Sequence, residues 1–347
     1  MKKNLTQKCL LLLISLCLCV TLFASCATNT ADTNEVKLLI LPHFETEELS
    51  GDYPGEAQFY YENYLEENCQ TFELADGKTL YYNPDNGVAL CLTGAGKANA
   101  AECFTTVLND SRFDFSKAYI LATGCSGGSV GYTTIGDVVI ATAVVDSDLG
   151  HTADVRDLSE ENREQLWFHD SSYDDVSCKF LNAELTDKIY ELTKDTTLKT
   201  TDITIETMAK NFPDEDWANR MPMVVKGTNI TSDNYWKGYY EHNKALYITE
   251  YYNCPDPLAV TEMEDTAIAD VADMYGYLDR LIVLRGVVNT DVFMNNDTPE
   301  SLWSEDFKYS DAVQEENAET LDSFDEVMEN VYLVAKPVID QIIAGSF

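Results

Sequence analysis

The sequence is short of positive charge. Its 347 residues carry 60 Asp and Glu but only 23 Lys and Arg, for a formal net charge of −37 at pH 7. A surface this acidic repels phosphate backbones and anionic lipid headgroups, which argues against a nucleic-acid-binding role. Histidine is scarce too, four residues in all. With no Cys-x-x-Cys pair and no histidine at ligand spacing beside a cysteine, the sequence argues against a zinc site. Internal repeats and low-complexity tracts are absent, and no apolar run is long enough for a comfortable membrane span. What is present is an apolar share of 45% in a chain long enough for one large α/β domain with a sizeable core.

The amino terminus reads as a targeting segment. Lys2, Lys3 and Lys8 precede an apolar run from Cys9 to Ala24, the layout of a secretory signal. Phe23-Ala24-Ser25-Cys26 resembles a bacterial lipobox, with Phe where Leu is usual. On that reading residues 1–25 are removed as a lipoprotein signal peptide and Cys26 is the site of lipidation. Residues 26–35 then form a polar tether, and the protein is exported and lipid-anchored to the outer face of the bacterial cytoplasmic membrane. An ordinary cleaved signal is the alternative. Cys69, Cys91, Cys103, Cys125, Cys178 and Cys254 remain in the mature chain; so scattered a set permits disulfides without requiring them.

Residues 36–347 read as a single domain with a surface insertion around 158–220. Val36–Leu41 and Val88–Leu92 are apolar strands. Apolar residues from Ala100 to Leu108 recur at helical spacing, and Phe180–Leu192 is amphipathic. Met223–Lys226 is a short strand. Leu258–Tyr277 reads mostly as a helix with Met263, Ala267, Val271 and Met274 on one face. Leu281–Val288 is a strand broken only by Arg285 and Gly286, and an amphipathic helix from Leu321 ends the chain. Asp214-Glu215-Asp216 lacks the alternation of a calcium loop and reads as solvated. The fold class is α/β, a mixed and mostly parallel central sheet flanked by helices.

The stretch AYILATGCSGGSVGYTTIGDVVIATAVV, from Ala118 to Val145, reads as strand, glycine-rich turn and strand. The turn, Thr123 to Gly128, would bring bare backbone to the carboxyl end of a buried strand, where ligands of α/β sheets bind.

Together with LTGAGKANAAECFTTVL, Thr261-Glu262-Met263-Glu264-Asp265-Thr266-Ala267 and the LRGVVNTD strand end, this stretch resembles the nucleoside phosphorylase superfamily, including the methylthioadenosine nucleosidases. Phe44 to Glu47, Ser232 to Trp236 and Met263 to Asp265 are similar to its purine nucleoside permease branch. The resemblance implies binding of a purine nucleoside or base and cleavage of the N-glycosidic bond, by hydrolysis or with inorganic phosphate as co-substrate, and no other cofactor or metal. By that resemblance Glu47 activates water, Glu264 binds the ribose hydroxyls, Met263 packs under the sugar, and Tyr235, followed by Trp236, stacks on the base. Thr123, Gly124 and Cys125 floor the pocket. Asn289 falls where nucleosidases carry an acidic proton donor, and Asp291 is a substitute two residues on. Ala122 replaces a phosphate-gripping arginine, which favours water as nucleophile. Two classes stay open: an exported nucleoside-cleaving enzyme, and a nucleoside-binding lipoprotein assisting transport without catalysis. A homo-oligomer is left open as well.

Overall fold

Alternation of apolar residues along short strands sets the layers of the computed structural model, which describes residues 33–151, 154–160, 171–294 and 311–347, the side chains of 155, 171, 175 and 311–322 excepted. The first long strand, β1 (Leu38–Leu41), sends Leu38 and Ile40 to one face and Leu39 and Leu41 to the other. It is followed by α1 (Gln58–Tyr64), β2 (Gln70–Glu73), β3 (Thr79–Asn83), β4 (Val88–Cys91), α2 (Lys97–Leu108), β5 (Tyr119–Gly128) and β6 (Val138–Asp146). Then come β7 (Cys178–Phe180), α3 (Ala183–Thr193), α4 (Asp202–Asn211), β8 (Val224–Thr231) and α5 (Tyr239–Tyr251). The chain closes with β9 (Leu258–Glu262), α6 (Asp265–Tyr275), β10 (Leu281–Thr290) and α7 (Asp311–Ile343). Shorter pieces are left unnumbered.

These ten strands form one sheet in the order β9-β8-β6-β10-β5-β1-β4-β3-β2, with β7 on β6. Pairing is parallel through β4, β1, β5 and β10 and through β6, β8 and β9. It is antiparallel where β10 meets β6 and in the β2–β3–β4 meander. The mixed sheet expected from the sequence is present. β9 also pairs antiparallel with the end of β5, Val260 opposite Gly128 and Thr261 opposite Gly127, so β5, β10, β6, β8 and β9 close into a ring. One face of the sheet packs against α1, α3 and α7, the other against α2 and α6.

Three expectations are corrected. Thr123 to Gly128 is not a turn: β5 runs on to Gly128 because β10 and β9 supply ladder partners along it. The glycines serve close approach instead, since a Cβ on Gly128 would meet Val287 at 2.5 Å. Leu258–Glu262 is a strand, not helix, and α6 starts only at Asp265, where the Glu262 carboxylate accepts the N–H groups of Glu264 and Asp265 at 2.6 and 2.8 Å. Its buried face is Ile268, Ala269, Val271 and Ala272, while Met274 is 68% exposed. Within 158–220, Leu185, Ile189, Leu198 and Met208 belong to the core, and Asp214–Asp216 is exposed. Glu35–Phe347 groups as one compact unit. The signal segment and Cys26 lie outside the described residues. Among the described residues, no helix is long and apolar enough to cross a membrane.

Candidate functional site

The period-2 alternation of β10 carries a cation into the core. Leu281 and Val283 face α6, and Arg285 follows them in phase, while a Cβ on the next residue, Gly286, would meet Val327 and Val331 of α7. Arg285 is 1% exposed. An isolated buried guanidinium is untenable, so carboxylates must meet it. Its Nε and Nη2 donate to Asp265 at 3.0 and 2.7 Å, and Nη2 also reaches Glu262 at 3.1 Å and Glu264 at 3.4 Å. Nη1 donates to the Cys125 carbonyl at 3.1 Å. Burial opposes its charge, but Asp265 and Glu262 outweigh burial and hold the guanidinium protonated well above its ordinary value.

His43, just after β1, closes the other side. Its Nε2 lies 2.9 Å from Arg285 Nη2, and its Nδ1 2.7 Å from Thr93 Oγ1. A guanidinium only donates, so Nε2 is an acceptor and the imidazole is neutral, with its proton on Nδ1 directed at Thr93. Burial and then Arg285 push its pKa well below the usual histidine value, in agreement with that tautomer.

Glu56 stands at the entry to α1, a helix start held by the Glu45 carboxylate, which accepts the N–H groups of Ala57 and Gln58 at 3.0 and 2.8 Å. The Glu56 oxygens accept the His43 N–H at 2.7 Å and the Cys125 N–H at 2.8 Å. Gly124 is glycine for a reason visible here: a Cβ on it would collide with this carboxylate. Burial raises Glu56 to about 7, against the pull of Arg285 and of the two N–H donors, and the charge of Glu264 adds to the rise. Glu262 is raised to about 8 by burial and by Asp265, with Arg285 opposing. Glu264 is raised chiefly by burial; its Oε1 accepts the Gly96 N–H at 2.9 Å, in the loop before α2. The next residue, Lys97, binds Asp146 at 2.8 Å and Asp148 at 3.0 Å, and its N–H donates to Asp233 at 2.8 Å. That contact ties the Ser232–Trp236 loop to the glycine loop.

Of the residues singled out from the sequence, Glu264, Gly124 and Cys125 meet in this cluster, with Met263 half-buried beside Glu264. Thr123 is fully buried, and its hydroxyl contacts Tyr60 Oη at 3.0 Å. Asn289 is half-buried opposite Gly127, at a register shift between β10 and β5. Tyr235 is 56% exposed on its loop. Trp236 instead packs with Val145, Ile230, Ala245, Ile248 and Leu258, which makes it a packing residue. Asp291 is buried, and its carboxylate pairs with His242 Nδ1 at 2.7 Å and accepts the Val130 N–H at 3.2 Å; it braces the turn after β10 against α5, and these bonds lead away from the Arg285 cluster. Glu47 is exposed, and the structure does not bring it into the cluster; the buried carboxylate of that segment is Glu56.

His43, Glu56, Glu262, Asp265 and Arg285 went unassigned in the sequence reading. A signal existed for Arg285, since a charge inside a strand buried on both faces demands partners. No local pattern marked Glu56, because its neighbours here come from residues 43, 125 and 285.

A family model described as purine nucleoside permease matches residues 35–346. The chain belongs to the purine nucleoside permease family. Among curated relatives, it is 26% identical over 205 residues to a probable purine nucleoside permease of Schizosaccharomyces pombe, covering 54% of this chain and 58% of that protein. It is 27% identical over 215 residues to a purine nucleoside permease of Candida albicans, covering 56% and 52%. The chain thus spans about half the length of the curated relatives it matches. Solved structures resemble it in fold. A 5′-methylthioadenosine/S-adenosylhomocysteine nucleosidase from Colwellia psychrerythraea, in complex with adenine, has a TM-score of 0.54 at 15% identity, covering 90% of this chain and 96% of that one. The same enzyme from Neisseria meningitidis, in complex with methylthio-immucillin-A, has a TM-score of 0.51 at 15% identity, covering 90% and 100%. At these identities the likeness is one of fold, and in this permease-family chain the site must be argued from its own residues.

Proposed function

We propose that this chain binds a purine nucleoside and cleaves its N-glycosidic bond with water. The observation that carries the reading is Glu56: a buried carboxylate raised to about 7 and aimed by two backbone N–H groups, near enough to Glu264 to feel its charge. A general base works best with a pKa near the working pH, and burial supplies that here. In the proposed step Glu56 takes a proton from water as its oxygen bonds the anomeric carbon, and the glycosidic electron pair leaves on the purine. Glu264 accepts hydrogen bonds from the ribose hydroxyls. The Asn289 amide hydrogen-bonds the departing base, which suits a 6-oxopurine. Arg285 acts by positioning: every one of its nitrogens is engaged by protein groups, so it organises carboxylates and is not presented to phosphate. That arrangement, with Ala122 in β5, supports hydrolysis over phosphorolysis.

A second reading keeps the binding and drops the chemistry. Asn289 supports it, since an amide cannot protonate a leaving base. In both readings the protein is exported and held by lipid at Cys26 on the outer face of the bacterial cytoplasmic membrane, as the lipobox-like sequence suggests. Purified protein incubated with inosine, with and without phosphate, separates them through released hypoxanthine. Release independent of phosphate is expected. Tight inosine binding with no release over hours would leave the binding reading alone standing.

A further inference from the structure

The loop that presents Gly96 to Glu264 is flanked by two cysteines. Cys91 is the last residue of β4, and Cys103 lies in the second turn of α2. Both side chains are fully buried, and their Sγ atoms are 3.2 Å apart, roughly 1 Å beyond a disulfide bond. The other hydrogen-bond contacts of the two sulfurs are long, to the Leu92 carbonyl at 3.9 and 3.8 Å. Between the cysteines run Thr93, bonded to the site histidine, and Gly94, whose N–H donates to the His43 carbonyl at 3.0 Å. The signal-like amino terminus points to an oxidising compartment, where such a pair is oxidised in preference to staying as thiols.

We propose that Cys91 and Cys103 form a disulfide that staples β4 to α2 and holds the Thr93–Gly96 loop against the candidate site. The bond forms by thiol–disulfide exchange. One thiolate attacks a small-molecule disulfide such as oxidised glutathione and releases one reduced thiol. The second cysteine thiolate then attacks the mixed disulfide and releases another, so two protein S–H bonds are lost and one S–S bond is gained. Full burial places this event before α2 finishes docking and shields the finished bond from reductants. Its presence does not depend on whether the site is catalytic.

The test uses the full chain refolded in a glutathione redox buffer, then denatured and alkylated without reductant. Tryptic cleavage at Lys78, Lys97 and Arg112 puts the two cysteines on separate peptides, 79–97 and 98–112. The expected result is one linked species carrying both, lighter than the two reduced peptides by two hydrogens and split by reductant. Reduction in denaturant before refolding is expected to lower the melting temperature by about 5 °C in the wild type and not in a Cys91→Ala, Cys103→Ala double variant. Recovery of Cys91 and Cys103 as alkylated thiols, or either one linked elsewhere, overturns the proposal. So does an equal effect of reductant on the double variant.

Discussion

Replacing Glu56 by Gln should remove a loss of stability that grows from acid to alkaline pH and should cut the proposed base release. Glu56 rises from 4.5 to about 7 on folding, chiefly through burial. The folded state therefore holds this proton more tightly than the unfolded state does. That contribution to stability is complete below about 4.5 and is lost as pH climbs through about 7. The displacement is worth about 3 kcal/mol. Glutamine has the size of the protonated carboxyl and never ionises; its NH2 cannot accept the second of the two N–H groups, a cost of about 1–3 kcal/mol that is the same at every pH. Relative to the wild type, the variant should gain about 3 kcal/mol of stability between pH 4 and pH 8. Glu262, also raised, gives both proteins a common slope that cancels in the difference. Urea denaturation at the two pH values reads the stability, and hypoxanthine release from inosine reads the function. A general base contributes about 10²- to 10⁴-fold, so release should fall by that factor. Parallel pH–stability curves would refute the buried-carboxylate argument. Undiminished release would remove Glu56 from the chemistry.

Other substitutions probe neighbouring links. Gly124→Ala places a methyl group against the Glu56 carboxylate; base release should fall at least tenfold while far-UV circular dichroism stays that of the wild type. Arg285→Met leaves Glu262, Glu264 and Asp265 without their shared cation, and should cost about 3–5 kcal/mol in urea unfolding, with part recovered in acid as the carboxylates protonate. Glu47→Gln changes an exposed side chain, so stability should move by less than about 0.5 kcal/mol and inosine turnover should hold; a large loss of turnover would return the water-activating role to Glu47.

The fold was legible because its strands are short apolar runs and its helices carry a 3.6-residue stripe; β1, β4, α2, β10 and the terminal helix fall where those patterns put them. Two misreadings share a cause. Thr123–Gly128 and Leu258–Glu262 look locally like turn and helix, yet both become strand because distant partners take them up: β10 along the first, β8 along the second, and each other at the closure of the ring, between positions more than 130 residues apart. Glu264 was legible from its surrounding motif. Glu56 was not, because what distinguishes it from Glu47 is burial against Cys125 and His43, and burial of that kind is not encoded in neighbouring residues. Asp291 was assigned by spacing alone, and its engagement by His242 is a tertiary fact.

The ring closed by β5 and β9 also bears on the order in which the protein comes into being. Gly96 meets Glu264 across 168 residues and Cys125 meets Arg285 across 160, while Glu56 and Cys125 lie 69 apart and Glu264 and Arg285 only 21. Such contacts fold slowly, because the closure of each large loop precedes any return from the contacts it permits. A chain emerging in sequence order holds His43, Glu56, Thr93 and Cys125 well before Glu264 and Arg285, so the cluster lacks its cation until the last strand. Its carboxylates stay in water until Arg285 arrives, and assembly of the cluster coincides with the last large step of folding. Ligand-binding competence is therefore a direct readout of complete folding.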